Sequence, residues 1–281
     1  MPHDPIRVGR LEVVPLCDGW APLPLAEECP GRDVDWVEER RRFPWAFAGE
    51  DSWTWHVHAF VVRGAAGVVL VDAGIGTYRT PVFDVYGRID AELAAARVDP
   101  VDIGHVIHTH LHADHAGGAC TPDHAPRFPN AVHHVHEADW TYFAASDDPE
   151  DFSAHGALAL LHAAGMVHLS VEDGPVVPGI GAVHTPGHTP GHRSVIVSDG
   201  PDHLLLTGDL LHVPIQVAHP DWRSNHDEDP MLACASRSSW LERARAQGWR
   251  VGVSHFGQPF GTVEIDGWVG LSGPRHAREQ S

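Results

Sequence analysis

Six consecutive residues, His110 to His115, constrain this chain more than any other stretch of its sequence. They hold three histidines and one aspartate in the pattern His-x-His-x-Asp-His, after the apolar pair Val106-Ile107. Because side chains alternate along an extended segment, His110 and His112 would project to the same side. Asp114 and His115 would then turn away and could serve a second ion. Imidazole nitrogens with a carboxylate oxygen are typical ligands of zinc and related metals, so the pattern predicts a metal site.

Chance clusters must be considered, because 24 of the 281 residues are histidine. Three further candidates make chance less convincing. His188 lies in the segment Thr185 to His192, which also holds two prolines and two glycines. Asp209 and His255 each follow an apolar run that is typical of a buried strand. Together with the central pattern they make seven candidate ligands, a number that suits two metal ions sharing one carboxylate.

At these residues the sequence resembles the metallo-β-lactamase superfamily, from about Phe60 to Phe260, with the motifs in family order. The resemblance implies that His110, His112 and His188 bind a first ion. It implies that Asp114, His115 and His255 bind a second, and that Asp209 bridges the two. Asp72, in the run Val69 to Gly74, matches the family's buried acidic residue behind the ligands.

The resemblance also implies an α/β fold, an αβ/βα four-layer sandwich in which two packed mixed β-sheets carry helices outside. We expect residues 1–281 to form a single domain of this kind. Apolar runs predict strands over 11–16 (ended by Asp18-Gly19), 56–63, 67–72, 103–108, 166–169, 250–253, near 132, 182–184, 193–198 and 203–207. Helices are predicted near 33–42, over 90–97, from 137, over 157–164 after an acidic loop that begins at 147, and over 230–247.

Residues 20–55, which we call the N-terminal excursion, depart from this strand and helix pattern. They contain five of the ten tryptophans of the chain. One interpretation is a surface excursion packed by its own aromatic side chains. The others are a lid over the metal site or the contact of a homodimer, because concentrated tryptophan suits both. The sequence leaves these three open.

Composition excludes several classes of function. A formal charge of −19 with no lysine argues against a nucleic-acid surface, which needs clustered positive charge. The longest apolar runs are too short to span a membrane, and the first residues lack the features of a signal peptide. Four widely spaced cysteines are typical of reduced thiols, which favours a cytoplasmic protein.

The predicted ligands indicate a hydrolase. Two divalent ions bridged by Asp209 would share a water and lower its pKa, giving a hydroxide near neutral pH that attacks a carbonyl or phosphoryl centre. Asp114 is a candidate catalytic residue because it could accept the proton of that water. Zinc is the expected metal, although iron, manganese or cobalt would also suit a site of nitrogen and oxygen ligands.

The segment that follows Asp209 bears on the substrate. It is similar to the branch that holds acyl-homoserine lactonases and methyl-parathion-type hydrolases. His212 stands where small lactonases carry tyrosine, and it could donate a hydrogen bond to a substrate carbonyl or merely shape the pocket wall. We therefore expect hydrolysis of lactones or small carboxylic esters. A phosphotriesterase or arylesterase on the same site is the alternative, and a non-catalytic metal-binding protein is an alternative of another class.

An apolar pocket mouth would suit an acyl chain or an aromatic leaving group. The candidates for its lining are Phe47, Trp53, Trp55, His58, Trp140, Phe143, Gln216, Trp222 and Phe256. The neighbouring histidines His133, His134 and His136 lie where the family has no ligand, and we expect them on the surface.

Overall fold

Alternating apolar side chains build the layers of this molecule. In the computed structural model, which describes residues 4–76, 87–146 and 153–271, Phe60 and Val62 pack in a core between two sheets. Val61, on the opposite face of the same strand, packs against helices. Leu204 and Leu206 likewise join the central core, whereas Leu205 belongs to a third core on the other side of the second sheet. Each sheet is thus buried on both faces, as a strand period of two residues requires.

The described residues form two sheets of seven strands each. The strands of the first sheet are β1 Ile6–Val8, β2 Leu11–Pro24, β3 Ser52–Gly64, β4 Gly67–Val71, β5 Ile103–Ile107, β6 Val132–His136 and β7 Val167–Ser170. Those of the second are β8 Gly174–Val177, β9 Ile180–His184, β10 Arg193–Asp199, β11 Asp202–Leu206, β12 Arg250–Gly252, β13 Phe260–Glu264 and β14 Gly267–Gly270. The α-helices are α1 Trp36–Arg42, α2 Ile89–Ala95, α3 Ala113–Ala116, α4 Glu137–Ala144, α5 His155–Ala163, α6 Ile215–Ala218 and α7 Pro230–Ala246.

Both sheets are mixed. The first runs β1 to β7 in chain order, and β4 to β7 are parallel. The second has the order β14 to β8, with a single parallel pair between β11 and β12. Helices α2, α4 and α5 share a core with the first sheet, and α6 and α7 share one with the second. The expected four-layer αβ/βα sandwich is confirmed.

The first long strand differs from its prediction. Strand β2 does not end at Asp18-Gly19 but continues to Pro24, with a bulge between Cys17 and Gly19. Asp18 is fully buried, and its carboxylate accepts a hydrogen bond of 3.0 Å from the backbone nitrogen of Gly76. A bulge absorbs the irregular residue while the ladder to β3 carries on, so a turn signal in the sequence did not mark a turn.

The histidines of β6 also differ from expectation. His133 and His136 are buried rather than on the surface, because β6 lies between β5 and β7 and is covered on both faces. His133 Nδ1 lies 2.9 Å from the Nε2 atom of His108. Strands β1, β8, β13 and β14 were not predicted. The start of the predicted acidic loop, 147–152, lies outside the described residues. Among the described helices, none combines the length and the apolar character that a membrane crossing needs.

Candidate dinuclear metal site

The predicted ligands follow the ends of strands and converge at one edge of the sandwich. His110 and His112 lie three and five residues beyond the end of β5, and Asp114 and His115 are the two middle residues of the one-turn helix α3. The carboxyl ends of the parallel strands β4 and β5, and of β11 and β12, meet where Asp209 and His255 emerge. His188 is supplied by the 185–192 loop between β9 and β10.

Three of these histidines form a first cluster. The Nδ1 atom of His112 lies 3.0 Å from His110 Nε2 and 3.0 Å from His188 Nε2. Ligands around a tetrahedral zinc ion are about 3.3 Å apart for metal–nitrogen bonds of about 2.05 Å, so these nitrogens are close to that spacing. Burial lowers the pKa of His110 well below its ordinary value and that of His112 to about 3. Both imidazoles are therefore neutral, which is the form that binds metals.

Two carboxylates and two histidines form a second cluster, in which all four side chains are buried. His115 Nε2 lies 3.0 Å from Asp209 Oδ1 and 3.2 Å from Asp114 Oδ2. His255 Nε2 lies 2.9 Å from Asp209 Oδ2. Despite this proximity, neither His115 Nε2 nor Asp209 Oδ1 makes a hydrogen bond within the described part of the chain. Buried polar atoms are rarely left so, and a shared cation would satisfy both.

Asp209 stands between the two clusters. Its Oδ2 atom lies 3.3 Å from His188 Nε2 in the first cluster, while its Oδ1 atom faces His115 in the second. Although burial opposes its ionisation, the imidazoles of His115 and His255 hold the pKa of Asp209 well below the ordinary range. The arrangement fits two divalent ions bridged by Asp209. The structure thus brings all seven predicted ligands together; their assignment as ligands stays a prediction.

Buried hydrogen bonds hold the ligands from behind. Asp72 accepts from the backbone nitrogen of Thr109 at 2.7 Å, and its Oδ2 lies 2.8 Å from His115 Nδ1, as its predicted place behind the ligands requires. Asp227 does the same for His188 Nδ1 at 3.3 Å, and Arg237 binds the other oxygen of Asp227. Asp227 was missed because it lies in a loop, where neither periodicity nor spacing marks it.

A cavity of about 490 Å³ opens above the candidate ligands. Its remaining wall consists of Pro22, Leu23, Pro24, Glu27, Trp53, Trp55, His212 and His226. The N-terminal excursion therefore walls the site, through the end of β2 and the start of β3.

Seven of the nine side chains predicted to line the pocket lie elsewhere. Of the nine, Trp53 and Trp55 line the cavity. Most of the others are held by contacts within the protein. Phe47 packs on Trp36, Trp140 packs between His155 and His162, and Phe256 packs between Trp45 and Trp268. Phe143 meets the edge of His112, and Trp222 stacks on His219. His58 binds the carbonyl of Ser254, and Gln216 is fully buried.

His212 faces the same cavity as the ligands. Its Nε2 atom lies 3.6 Å from Asp209 Oδ2, too far for a hydrogen bond, and neither ring nitrogen has a hydrogen-bond partner among the described residues. Burial lowers the pKa of His212, so the ring is neutral and carries one N–H. Gln216 fixes the backbone here, because its Oε1 accepts from His212 N at 2.7 Å.

An ion pair between a buried glutamate and a partly exposed histidine lies at the cavity wall. His226 Nε2 lies 3.0 Å from an oxygen of Glu28, which is itself buried. Burial opposes charge on His226, but the Glu28 carboxylate raises its pKa to about 9. The histidine is therefore a cation at neutral pH, and its ring lies 5.3 Å from that of His212. The sequence carried no signal for this pair.

Known proteins of one superfamily resemble this chain in sequence. The sequence profile of the metallo-beta-lactamase superfamily matches residues 53–255. The chain is 34% identical to the N-acyl homoserine lactonase AttM of Azorhizobium caulinodans over 133 residues, which are 43% of this chain and 46% of that protein. It is 33% identical to the AttM lactonase of Rhizobium radiobacter over 170 residues, 55% of this chain and 61% of that protein. The matches thus span less than two thirds of these relatives.

Solved structures share the whole architecture. AidC, a dizinc quorum-quenching lactonase, superposes with a TM-score of 0.82 at 24% identity, over 96% of this chain and 97% of that one. The hydrolase AbOPH of the beta lactamase superfamily superposes with a TM-score of 0.79 at 20% identity, over 97% and 98% of the two chains. At these identities the likeness shows the fold.

Proposed function

Because this chain belongs to the metallo-β-lactamase superfamily, we propose that it is a metal-dependent hydrolase that opens lactones of the acyl-homoserine class. The observation that carries the proposal is the convergence of seven histidine and aspartate side chains, six of them buried and His112 half-buried, at the base of an open cavity with apolar walls. The relatives that match in sequence are N-acyl homoserine lactonases. We propose zinc as the metal, in keeping with the dizinc neighbour and the donor set.

Different residues of the site would serve different steps of such a reaction. When bound, two divalent ions would polarise the substrate carbonyl and make water acidic enough to attack it at neutral pH. Asp114 lines the cavity, and His115 and His255 hold its pKa low against the effect of burial. It is therefore ionised and placed to accept the proton that the attacking water releases. His212 is placed to donate its N–H to the oxygen on which negative charge develops.

The cavity walls suit an acylated lactone. Pro22, Leu23, Pro24, Trp53 and Trp55 present apolar surface to an acyl chain. The same wall holds His226, which is protonated at neutral pH and is paired with the carboxylate of Glu28. A few polar groups beneath an apolar wall are the usual arrangement of a small-molecule site.

Two further proposals concern the chain as a whole. All four cysteines are free and buried, which supports the cytoplasm as its compartment. The central core takes side chains from both sheets, which supports a single domain. A homodimer stays a prediction.

Elemental analysis beside a substrate panel tests the proposal. The panel holds acyl-homoserine lactones, aliphatic lactones, p-nitrophenyl esters and phosphotriesters. We expect at least two zinc ions per chain with turnover of the acyl-homoserine lactones, and Asp209→Ala should lose both activity and metal. Asp221→Ala, which changes an exposed aspartate paired with Arg32, is the matched control and should lose neither.

The other outcomes are equally informative. Full activity in Asp209→Ala would refute the site. Turnover of phosphotriesters or aryl esters without lactones would keep the site and replace the substrate. Bound metal with no turnover of any ester would favour a non-catalytic metal-binding protein.

A further inference from the structure

A further group of side chains that could bind a metal ion lies outside the cavity wall. Cys17, His56 and His58 each present one donor atom, and the three donors lie within 4.8 Å of one another. They belong neither to the seven candidate ligands nor to the cavity wall. We propose that these three side chains form a third metal site, specific for a zinc-class divalent ion, which fastens β2 to β3.

The strand pairing explains how the three side chains meet. His56 and His58 alternate on β3 and therefore share a face of the sheet. Cys17 is the cross-strand partner of His58, and the bulge of β2 begins directly after it. The bulge shifts the register, so Trp20 rather than Gly19 stands opposite His56, and Cys17 reaches both histidines. Two strands thus supply ligands at a point where their own ladder is interrupted.

The individual contacts fit a metal ion. Cys17 Sγ lies 3.8 Å from His56 Nδ1, and in a tetrahedral zinc site a sulfur and a nitrogen ligand are about 3.6 Å apart. His58 Nδ1 lies 2.9 Å from the carbonyl oxygen of Ser254 and must donate to it, because a carbonyl only accepts. The lone pair of His58 is therefore on Nε2, the nitrogen that would bind the ion. One thiolate and two imidazoles suit zinc and cobalt and leave a fourth position for water.

The site would act on the candidate active site through the backbone. His56 O accepts a hydrogen bond of 2.6 Å from His255 Nδ1, and His58 N donates to Ser254 O at 3.0 Å. The strand that carries two ligands of the proposed ion thus fixes which nitrogen of His255 faces Asp209. An ion at this place would hold that strand against β2 and keep His255 in position.

Cobalt(II) titration of metal-free protein tests the inference without reference to hydrolysis. The seven candidate ligands of the dinuclear site contain only nitrogen and oxygen donors, so a cysteine-to-cobalt charge-transfer band can arise only from another site. We expect about three cobalt ions per chain and this band in the wild type. Cys17→Ser should bind about two and show no band. Cys120→Ser, which changes another buried cysteine in the core beneath the helices, should behave as the wild type.

The wild type alone contradicts the inference if it binds only two cobalt ions per chain at saturation or if no charge-transfer band develops. It also fails if the band survives in Cys17→Ser or disappears in Cys120→Ser. Should Cys17→Ser not fold, as judged by circular dichroism, His56→Asn replaces it and must lose the third ion. Absence of lactone turnover would leave all of these results unchanged, so the proposed function and the third site can fail separately.

Discussion

At the scale of single residues, the site depends on hydrogen bonds that decide which imidazole nitrogen is left for a metal ion. Asp72 accepts a hydrogen bond from the Nδ1 of His115, so the Nε2 of His115 faces Asp209. Asp227 takes the Nδ1 of His188 in the same manner. Such partners orient a ligand and strengthen its basicity, and their loss typically weakens metal binding about 10- to 100-fold.

His212 allows the sharpest test at this scale. Because it faces the cavity with a neutral ring and no hydrogen bond to the described residues, His212→Ala should lower kcat roughly 100-fold, the usual loss for one donor to a developing oxyanion. Zinc content should not change, since the ring is not among the seven candidate ligands. His219→Ala is the control, because His219 stacks on Trp222 outside the cavity wall. Unaltered kinetics in His212→Ala would reduce this residue to a part of the wall.

The seven candidate ligands were predictable because four of them share one short His-x-His-x-Asp-His pattern, the other three lie near strand ends beside small residues, and the family order is kept. The pocket lining was not. Phe47, Trp140 and Phe256 are large aromatic side chains whose burial is favourable against any apolar surface. They pack against the hydrophobic cores instead of the cavity. Sequence shows that an aromatic side chain will be buried, but not which surface it covers. His226 was missed because its charge depends on Glu28, which is distant in sequence.

At the scale of elements, the 185–192 loop and the turn after β11 brace each other. His192 Nε2 accepts a hydrogen bond of 2.9 Å from the backbone nitrogen of Asp209. Its Nδ1 atom donates to Thr185 O at 2.9 Å. Gly208 lies directly beneath this histidine with φ of +54°, and a Cβ there would lie 2.7 Å from His192 Nε2. The loop that carries His188 therefore also positions Asp209.

Alanine substitutions at two glycines distinguish the cost of backbone strain from the steric constraint that His192 imposes. Gly200 has φ of +62° with open space around it, so Gly200→Ala should cost only about 1–2 kcal/mol for a left-handed alanine and leave zinc binding intact. Gly208→Ala should cost more and weaken zinc binding at least about tenfold, because His192 and with it Asp209 must move. Urea unfolding and zinc competition titrations measure both quantities. Equal behaviour of the two variants would show that His192 does not position Asp209.

The same elements show where prediction from sequence stops. The strands with alternating or continuous apolar residues, such as β3 and β11, were predicted because burial imposes that pattern. The second half of β2 was not, since its pairing to β3 continues through a bulge that places Asp18 inside. Its residues Pro22 to Pro24 look like a loop in sequence, yet pairing with the start of β3 holds them as the wall of the cavity.

At the scale of the whole molecule, an ion pair joins distant segments around the cavity. Glu28 belongs to the N-terminal excursion, whereas His226 lies in the loop that precedes α7. The same two segments are joined by a bridge between Glu28 and Ser224 and by a hydrogen bond from Asn225 N to Glu27 O. The position of the cavity wall therefore depends on contacts between residues nearly 200 positions apart in the chain.

This ion pair predicts how stability depends on pH. The pKa of His226 is raised from 6.5 to about 9, so its contribution is complete below pH 6.5 and is lost as pH rises through about 9. The pKa of Glu28 is lowered from 4.5: burial opposes this, but His226 outweighs it. The contribution of Glu28 is therefore present above pH 4.5 and is lost as pH falls through the lowered value. The pair should stabilise the fold most between these limits.

The double variant Glu28→Gln/His226→Gln removes both charges and leaves no buried ion unpaired. We expect the difference in unfolding free energy between the wild type and this variant, both saturated with zinc, to be constant from about pH 5 to 6.5. It should then fall by roughly 2–3 kcal/mol by pH 10, since one pKa unit is worth about 1.4 kcal/mol and water reaches part of the histidine. Metal binding contributes equally to both proteins and cancels. A difference that stays flat between pH 6.5 and 10 would mean that the cavity wall is held by packing alone, and that the charge of His226 does not stabilise it.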